Sequence, residues 1–277
     1  MSFRPVVPLS GYGAYAFVKR TMDSQKSAFE AAPVTKRDED YFRSKIGGIK
    51  TAEALVADRR LLKIALGAFG LDADINNKYF IRKVLEGSTL DEKALGNRLA
   101  NKQYQKLSKA FGFGDFAVPR TQLSDFATII LKDYKTRQFE IAVGEQNGDM
   151  RLVLNAEREL AGLAKGAVSD ETKWFTVMGN TPLRQVFQTA FGLPAAFAAI
   201  DLDQQLETLR SKADQAFGDR SIAQFADPAR VDLLVRRFLA RSDAATGPPL
   251  TTKGMGALQL LQAGQQSSGQ SILSLLR

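Results

Sequence analysis

The chain has 277 residues, 44% of them hydrophobic and 25% charged, with a net charge of +8. Such proportions fit a globular protein with one large helical domain or two small ones. It contains no cysteine and no histidine, which excludes disulfides, thiol nucleophiles, thiolate or imidazole metal sites and histidine general-base catalysis.

In chain order, Pro5, Pro8, Gly11 and Gly13 predict an extended start, followed by a helix over residues 14–29. Residues 1–35 therefore read as an N-terminal arm, either docked on a partner or frayed. No charged-then-apolar-then-small pattern opens the chain, so a cleaved secretory peptide is not expected. No apolar run approaches the roughly 20 residues that cross a bilayer, so no transmembrane segment is expected either.

Residues 36–120 read as a first helical bundle. Thr51 caps a helix that ends at Gly70, a second helix closes at Gly87, and a third is predicted over residues 90–100. A further helix carries Tyr104, Leu107 and Phe111 into Gly112.

Residues 121–163 read as one long central helix. Phe139, Val143, Gln146, Met150, Val153, Ala156, Leu160 and Leu163 recur at steps of three and four, which is one face of a helix. Gly144 and Gly148 interrupt it, each costing about 1 kcal/mol relative to alanine. They mark a tight helix crossing or a short break; alternatively Glu145, Gln146 and Asn147 between them form a polar ligand site.

Residues 164–241 read as a second bundle. Ser169 caps one helix, Thr181 with Pro182 starts the next, and Gly192 with Pro194 ends it. Asp201 and Asp203 open a helix closed by Gly218, and Asp227-Pro228 opens the last one. Trp174 and Phe175 are expected to fill the core. The two bundles look alike: Ala68-Phe69-Gly70-Leu71 reappears as Ala190-Phe191-Gly192-Leu193, 122 positions on. The last helix of each is matched through Leu107 and Phe111 against Leu234 and Phe238. An internal duplication is one reading, and a favoured helix ending is the other.

Residues 242–277 read as a flexible tail rich in glycine, glutamine and serine. Within it Leu258, Leu261, Ile272 and Leu275 follow a heptad-like stripe, a candidate surface for a protein partner.

No arrangement of residues announces a reaction, and no enzyme activity, cofactor or metal is expected. Asp72 with Asp74, and Asp201 with Asp203, sit where helix caps are needed and are read as caps rather than as cation ligands. Gly179 to Arg184 lacks the glycine spacing and lysine of a phosphate loop. Basic residues are interleaved with acidic ones, and no recognition helix or aromatic platform is present, so nucleic acid is not an expected partner.

Three blocks carry a family resemblance: INNKYFIRKVLEGSTLDEKALGNRLANKQYQKLSKAFGF, RQFEIAVGEQNGDMRLVLNAERELAGLA and WFTVMGNTPLRQVFQTAFGLPAAFAAIDLDQQLE. Over roughly residues 51–243 the chain resembles the bacterial family labelled domain of unknown function 1217. The resemblance implies an all-helical, duplicated fold with no assigned activity. It also implies a flagellar setting, because genes of this family often lie in flagellar gene clusters and some members carry a basal-body rod label. The lack of cysteine fits an exported flagellar component. The expectation is a non-catalytic helical protein, structural or assembly-related, that contacts flagellar proteins in the cytoplasm or at the flagellar basal body. The alternative is a cytoplasmic adaptor, regulator or small-ligand module with no flagellar role.

Overall fold

The computed structural model describes residues 3–246, and among these there is no strand. The chain is all-α. Helix α1 (Gly11–Ala31) leads into α2 (Pro33–Lys45), separated by extended Ala32. The residue before a proline disfavours the helical region, while proline itself suits a first turn. Helix α3 (Ala52–Ala57) begins where the Thr51 hydroxyl accepts from the Ala54 amide at 3.1 Å. Helix α4 (Arg59–Phe69) begins where Asp58 accepts from the Arg60 and Leu61 amides at 2.9 and 3.0 Å. These oxygens satisfy amides that a helix start leaves without a partner. Helix α4 ends on Gly70, whose φ of 71° is the left-handed cap that favours glycine.

Helices α5 (Lys78–Glu86), α6 (Leu95–Arg98), α7 (Gln103–Phe111) and α8 (Phe126–Gly144) complete the first half. The helix predicted over residues 90–100 is reduced to the four residues of α6. This stretch is polar and its Leu90 is 86% exposed, so it has no apolar face to bury.

Helices α9 (Gly148–Lys165), α10 (Asp170–Gly179), α11 (Thr181–Phe191), α12 (Leu202–Phe217) and α13 (Pro228–Thr246) follow. Helix α11 starts one residue earlier than predicted. Asn180, not Thr181, is the cap, and its side chain accepts from the Leu183 amide at 3.2 Å.

The single helix expected over residues 121–163 is two. The break falls at residues 145–147, between the two glycines. Extended Asn147 caps α9 by accepting from the Asp149 and Met150 amides at 3.0 and 3.3 Å. The chain reverses there, because Glu140 lies against Arg158 and Arg137 against Glu159. The apolar stripe survives the break: Phe139 and Val143 of α8 and Met150, Val153, Ala156 and Leu160 of α9 enter one core.

The described residues form two cores, and α8 joins them. Its first half gives Phe126, Ile130, Leu131 and Tyr134 to a core with Phe42, Leu61, Leu62 and Phe111. Its second half joins a core built on Trp174, Phe187, Phe225 and Phe238. Trp174 meets Phe187 edge-on at 5.4 Å, and its indole N–H donates to the Arg220 carbonyl at 3.0 Å. Residues 11–31, expected to belong to an arm, instead pack on α13 and α8. Ala14, Tyr15 and Val18 are buried in the second core, and Tyr15 Oη donates to Glu157 at 2.7 Å. The apolar face of α1 is covered by its own chain. The tail stripe of Leu258, Leu261, Ile272 and Leu275 lies outside the described residues.

Both halves run through the same order of elements. In the first, α3, the one-residue cap Asp58, α4, left-handed Gly70 and a 3-10 turn (Asp72–Asn76) lead on to left-handed Gly112, a 3-10 turn (Arg120–Gln122) and α8. In the second, α10, the cap Asn180, α11, left-handed Gly192 and a 3-10 turn (Ala195–Ala199) lead on to left-handed Gly218, a 3-10 turn (Ile222–Ala226) and α13. Arg137 Nε donates to the Ala68 carbonyl at 2.9 Å, and Arg237 Nε donates to the Ala190 carbonyl at 2.9 Å. In these two orders α8 and α13 occupy the same place, whereas the helix bearing Leu107 and Phe111 precedes Gly112. Helix α12 stands where α5, α6 and α7 stand in the first half.

Candidate functional site

Where the halves face each other they leave a cleft of about 980 Å³. One wall is the segment from Arg98 through α7. The other comes from α10, α11 and the start of α12, and the floor is the α8–α9 hairpin. At the rim Gly179 lies against the carbonyl of Ala100, where any side chain would meet backbone. That contact fixes the approach of one wall to the other.

The floor is an ion-pair network. Glu159 accepts through one oxygen from Arg137 Nη2 at 2.8 Å and from Arg158 Nη1. Its other oxygen accepts from Gln103 Nε2 and Lys106 Nζ, each at 3.3 Å. Arg158 also holds Glu140 in a two-pronged contact of 2.7 and 3.0 Å. Burial pushes the Glu159 carboxyl upward, but the charges of Lys106, Arg158 and Arg137, with the Arg158 hydrogen bond, hold it down at about 2. This carboxylate is ionised and fully engaged at neutral pH, so it is no general base. Over the whole lining, Arg98, Lys102, Lys106, Arg137, Arg158 and Arg184 face only Asp133 and Glu159, so the cleft attracts anions.

One group in the wall lacks a partner. Gln103 is 7% exposed, and its side-chain oxygen receives no hydrogen bond while its nitrogen donates to Glu159. Turning the amide round would place oxygen against carboxylate, so the orientation is set by the floor. A buried acceptor without a donor is costly.

The residues singled out in the sequence lie elsewhere. Glu145 and Gln146 are exposed at the α8–α9 turn, Asn147 is occupied with its cap, and none of the three lines the cleft. Asp201 is a cap, accepting from the Asp203 and Gln204 amides at 2.9 and 3.3 Å. Asp72 and Asp74 are not caps: Asp72 accepts from Gln138 at 3.0 Å, and Asp74 from Tyr104 Oη at 2.6 Å. Among the described residues no group of three acidic side chains could hold a metal ion, and no helix is long and apolar enough to cross a membrane. Gly179 and Asn180 do line the cleft, as structural contacts rather than as a phosphate loop. Arg137, Arg158, Glu159 and Gln103 carry no local sequence signal, because they meet only once the hairpin has folded.

No curated protein matches the chain. Among solved structures it is similar to the crystal structure of protein AGR_C_984 from Agrobacterium tumefaciens. The two are 26% identical with a TM-score of 0.69, over 86% of this chain and 97% of that one. The family model described as protein of unknown function (DUF1217) matches residues 68–231, from the end of α4 to the start of α13. The cleft walls, the hairpin and both left-handed glycines that follow α4 and α11 lie within that span, and the chain belongs to the DUF1217 family.

Proposed function

We propose that this is a non-catalytic protein of the bacterial flagellar system, assembly-related, that works by contact with other proteins, and that its two halves descend from one duplicated unit. The observation that carries the binding reading is the cleft. It is roomy and basic, and the Glu159 and Glu140 carboxylates at its floor are spent on arginines, which favours a site that holds a partner over one that reacts with it. The flagellar setting is supported by the family resemblance. The assembly role is favoured over a rod subunit because α1 spends its apolar face on its own chain, leaving that face unavailable for joining subunits end to end. The paired contacts of Arg137 with Ala68 and Arg237 with Ala190 support the duplication.

In-frame deletion of the gene, followed by electron microscopy of basal bodies and filaments, tests the setting. The expected result is missing or truncated flagella, restored by the full-length gene. Normal flagella in the deletion strain would refute it. A second reading, a cytoplasmic adaptor for an acidic partner outside the flagellum, is supported by the same basic cleft, and normal flagella would leave it standing.

A further inference from the structure

We infer that the cleft between the halves is the docking site for an acidic segment of a partner protein, one that interleaves carboxylates with aliphatic side chains. This rests on the reading of the protein as one that works by protein contact, and adds where that contact is made and what chemistry it selects.

The argument starts from charge. Arg98 and Lys102 stand at one lip, Lys106 behind them, and Arg184 on the facing wall. Among the described residues Arg98 and Lys102 have no carboxylate partner. Lys102 donates only to the Asn97 carbonyl at 2.8 Å, and Arg184 to the Met178 carbonyl at 3.0 Å. Each keeps donors to spare, since lysine carries three and arginine five. Lys106 is paired with Glu159 at 3.3 Å, but Arg98, Lys102 and Arg184 are not neutralised from within the cleft, so their complement is an anion.

Next comes the apolar surface between those cations. Leu99 and Phe175 are half-buried in the walls, and Val168 and Leu202 at the edge are 51% and 57% exposed. A small inorganic anion would leave that surface uncovered. Nucleic acid would have to present bases to it, yet neither wall carries a platform of exposed aromatics. Aliphatic side chains alternating with carboxylates cover both kinds of surface.

The third observation is the floor itself. The floor is braced by Arg137, Arg158, Glu140 and Glu159, so the site is formed before the partner arrives and little ordering is required.

The test is selection from a randomised twelve-residue peptide display library against the full-length protein. A randomised single-stranded oligonucleotide pool is presented in parallel. Enriched peptides are expected to combine Asp or Glu with Leu, Ile or Val. Their affinity, measured by fluorescence anisotropy, is expected to fall at least tenfold in Arg98→Glu/Lys102→Glu. It should stay within twofold in Lys36→Glu/Lys50→Glu, which carries the same charge change at exposed positions of the first half that do not line the cleft. Matching circular dichroism spectra and melting temperatures across the three proteins establish that folding is unchanged.

The inference is overturned if no peptide is enriched, if the enriched peptides are neutral or basic, if both double variants weaken binding equally, or if oligonucleotides displace the peptides. None of these bears on the flagellar setting, which the deletion strain decides alone. Conversely, acidic peptides selected through Arg98 and Lys102 would stand even if that strain made normal flagella.

Discussion

Replacing Glu159 by glutamine keeps the shape of the side chain and removes its charge. In the folded protein this carboxylate accepts from Arg137, Arg158, Gln103 and Lys106, and its side chain is 10% exposed. Two routes give the size of the loss. A depression of the carboxyl from 4.5 to about 2 corresponds to about 3 kcal/mol of stability at neutral pH. Removing one member of a buried ion pair costs about 3–5 kcal/mol, because the other charges stay behind. Urea unfolding at pH 7, followed by far-ultraviolet circular dichroism and by fluorescence of the single tryptophan, Trp174, reads the difference. The pH dependence gives the sign. The folded form holds the carboxyl below its unfolded value, so its contribution is fully present above about pH 5 and is lost as pH falls toward 2. The gap between wild type and Glu159→Gln should therefore close over that window. Equal stability at pH 7, or a gap that persists undiminished in acid, would refute the network as a stabilising floor.

Other substitutions test the remaining structure, each by the same unfolding measurement. Asn147→Ala removes the oxygen that caps α9 and should cost about 1 kcal/mol. Gly179→Ala drives a methyl into the Ala100 carbonyl and should cost about 1–3 kcal/mol, whereas Gly162→Ala, with open space around its Cβ in mid-helix, should stabilise by about 1 kcal/mol. Arg237→Met strands the Ala190 carbonyl and should cost about 1 kcal/mol. Arg137→Met strands the matching Ala68 carbonyl and also takes a donor from Glu159, so it should cost about 3 kcal/mol. Equal losses in those two arginine variants would contradict the distinction drawn between the floor and its counterpart.

Much of the fold is legible along the chain because helix ends are local events. Thr51 and Ser169 act as caps, and Gly70, Gly112, Gly192 and Gly218 as left-handed stops, where the sequence places them. The apolar period over residues 139–160 identifies one buried face but cannot reveal that the chain doubles back within it. A hairpin and a straight helix share that period, and only Gly144 and Gly148 hint at the difference. The docking of α1 on α13 is illegible for a similar reason: Tyr12 lies 220 positions from Asp232, the α13 residue to which its hydroxyl donates. The site is the least legible part. Glu140 and Arg158 look like two charges on solvated helix faces until the turn at residues 145–147 brings them together, and the basic surplus of the cleft is assembled from α6 to α11. Leu107 and Phe111 share a spacing with Leu234 and Phe238, but α7 precedes left-handed Gly112 whereas α13 follows left-handed Gly218.

Swimming in soft agar tests the central claim most directly. The deletion strain is complemented with the wild-type gene, with Arg98→Glu/Lys102→Glu, or with Lys36→Glu/Lys50→Glu, each at matched protein level. A flagellar protein that works through its cleft predicts loss of swimming on deletion, rescue by wild type and by Lys36→Glu/Lys50→Glu, and no rescue by Arg98→Glu/Lys102→Glu. A deletion strain that swims as well as its parent would contradict the account.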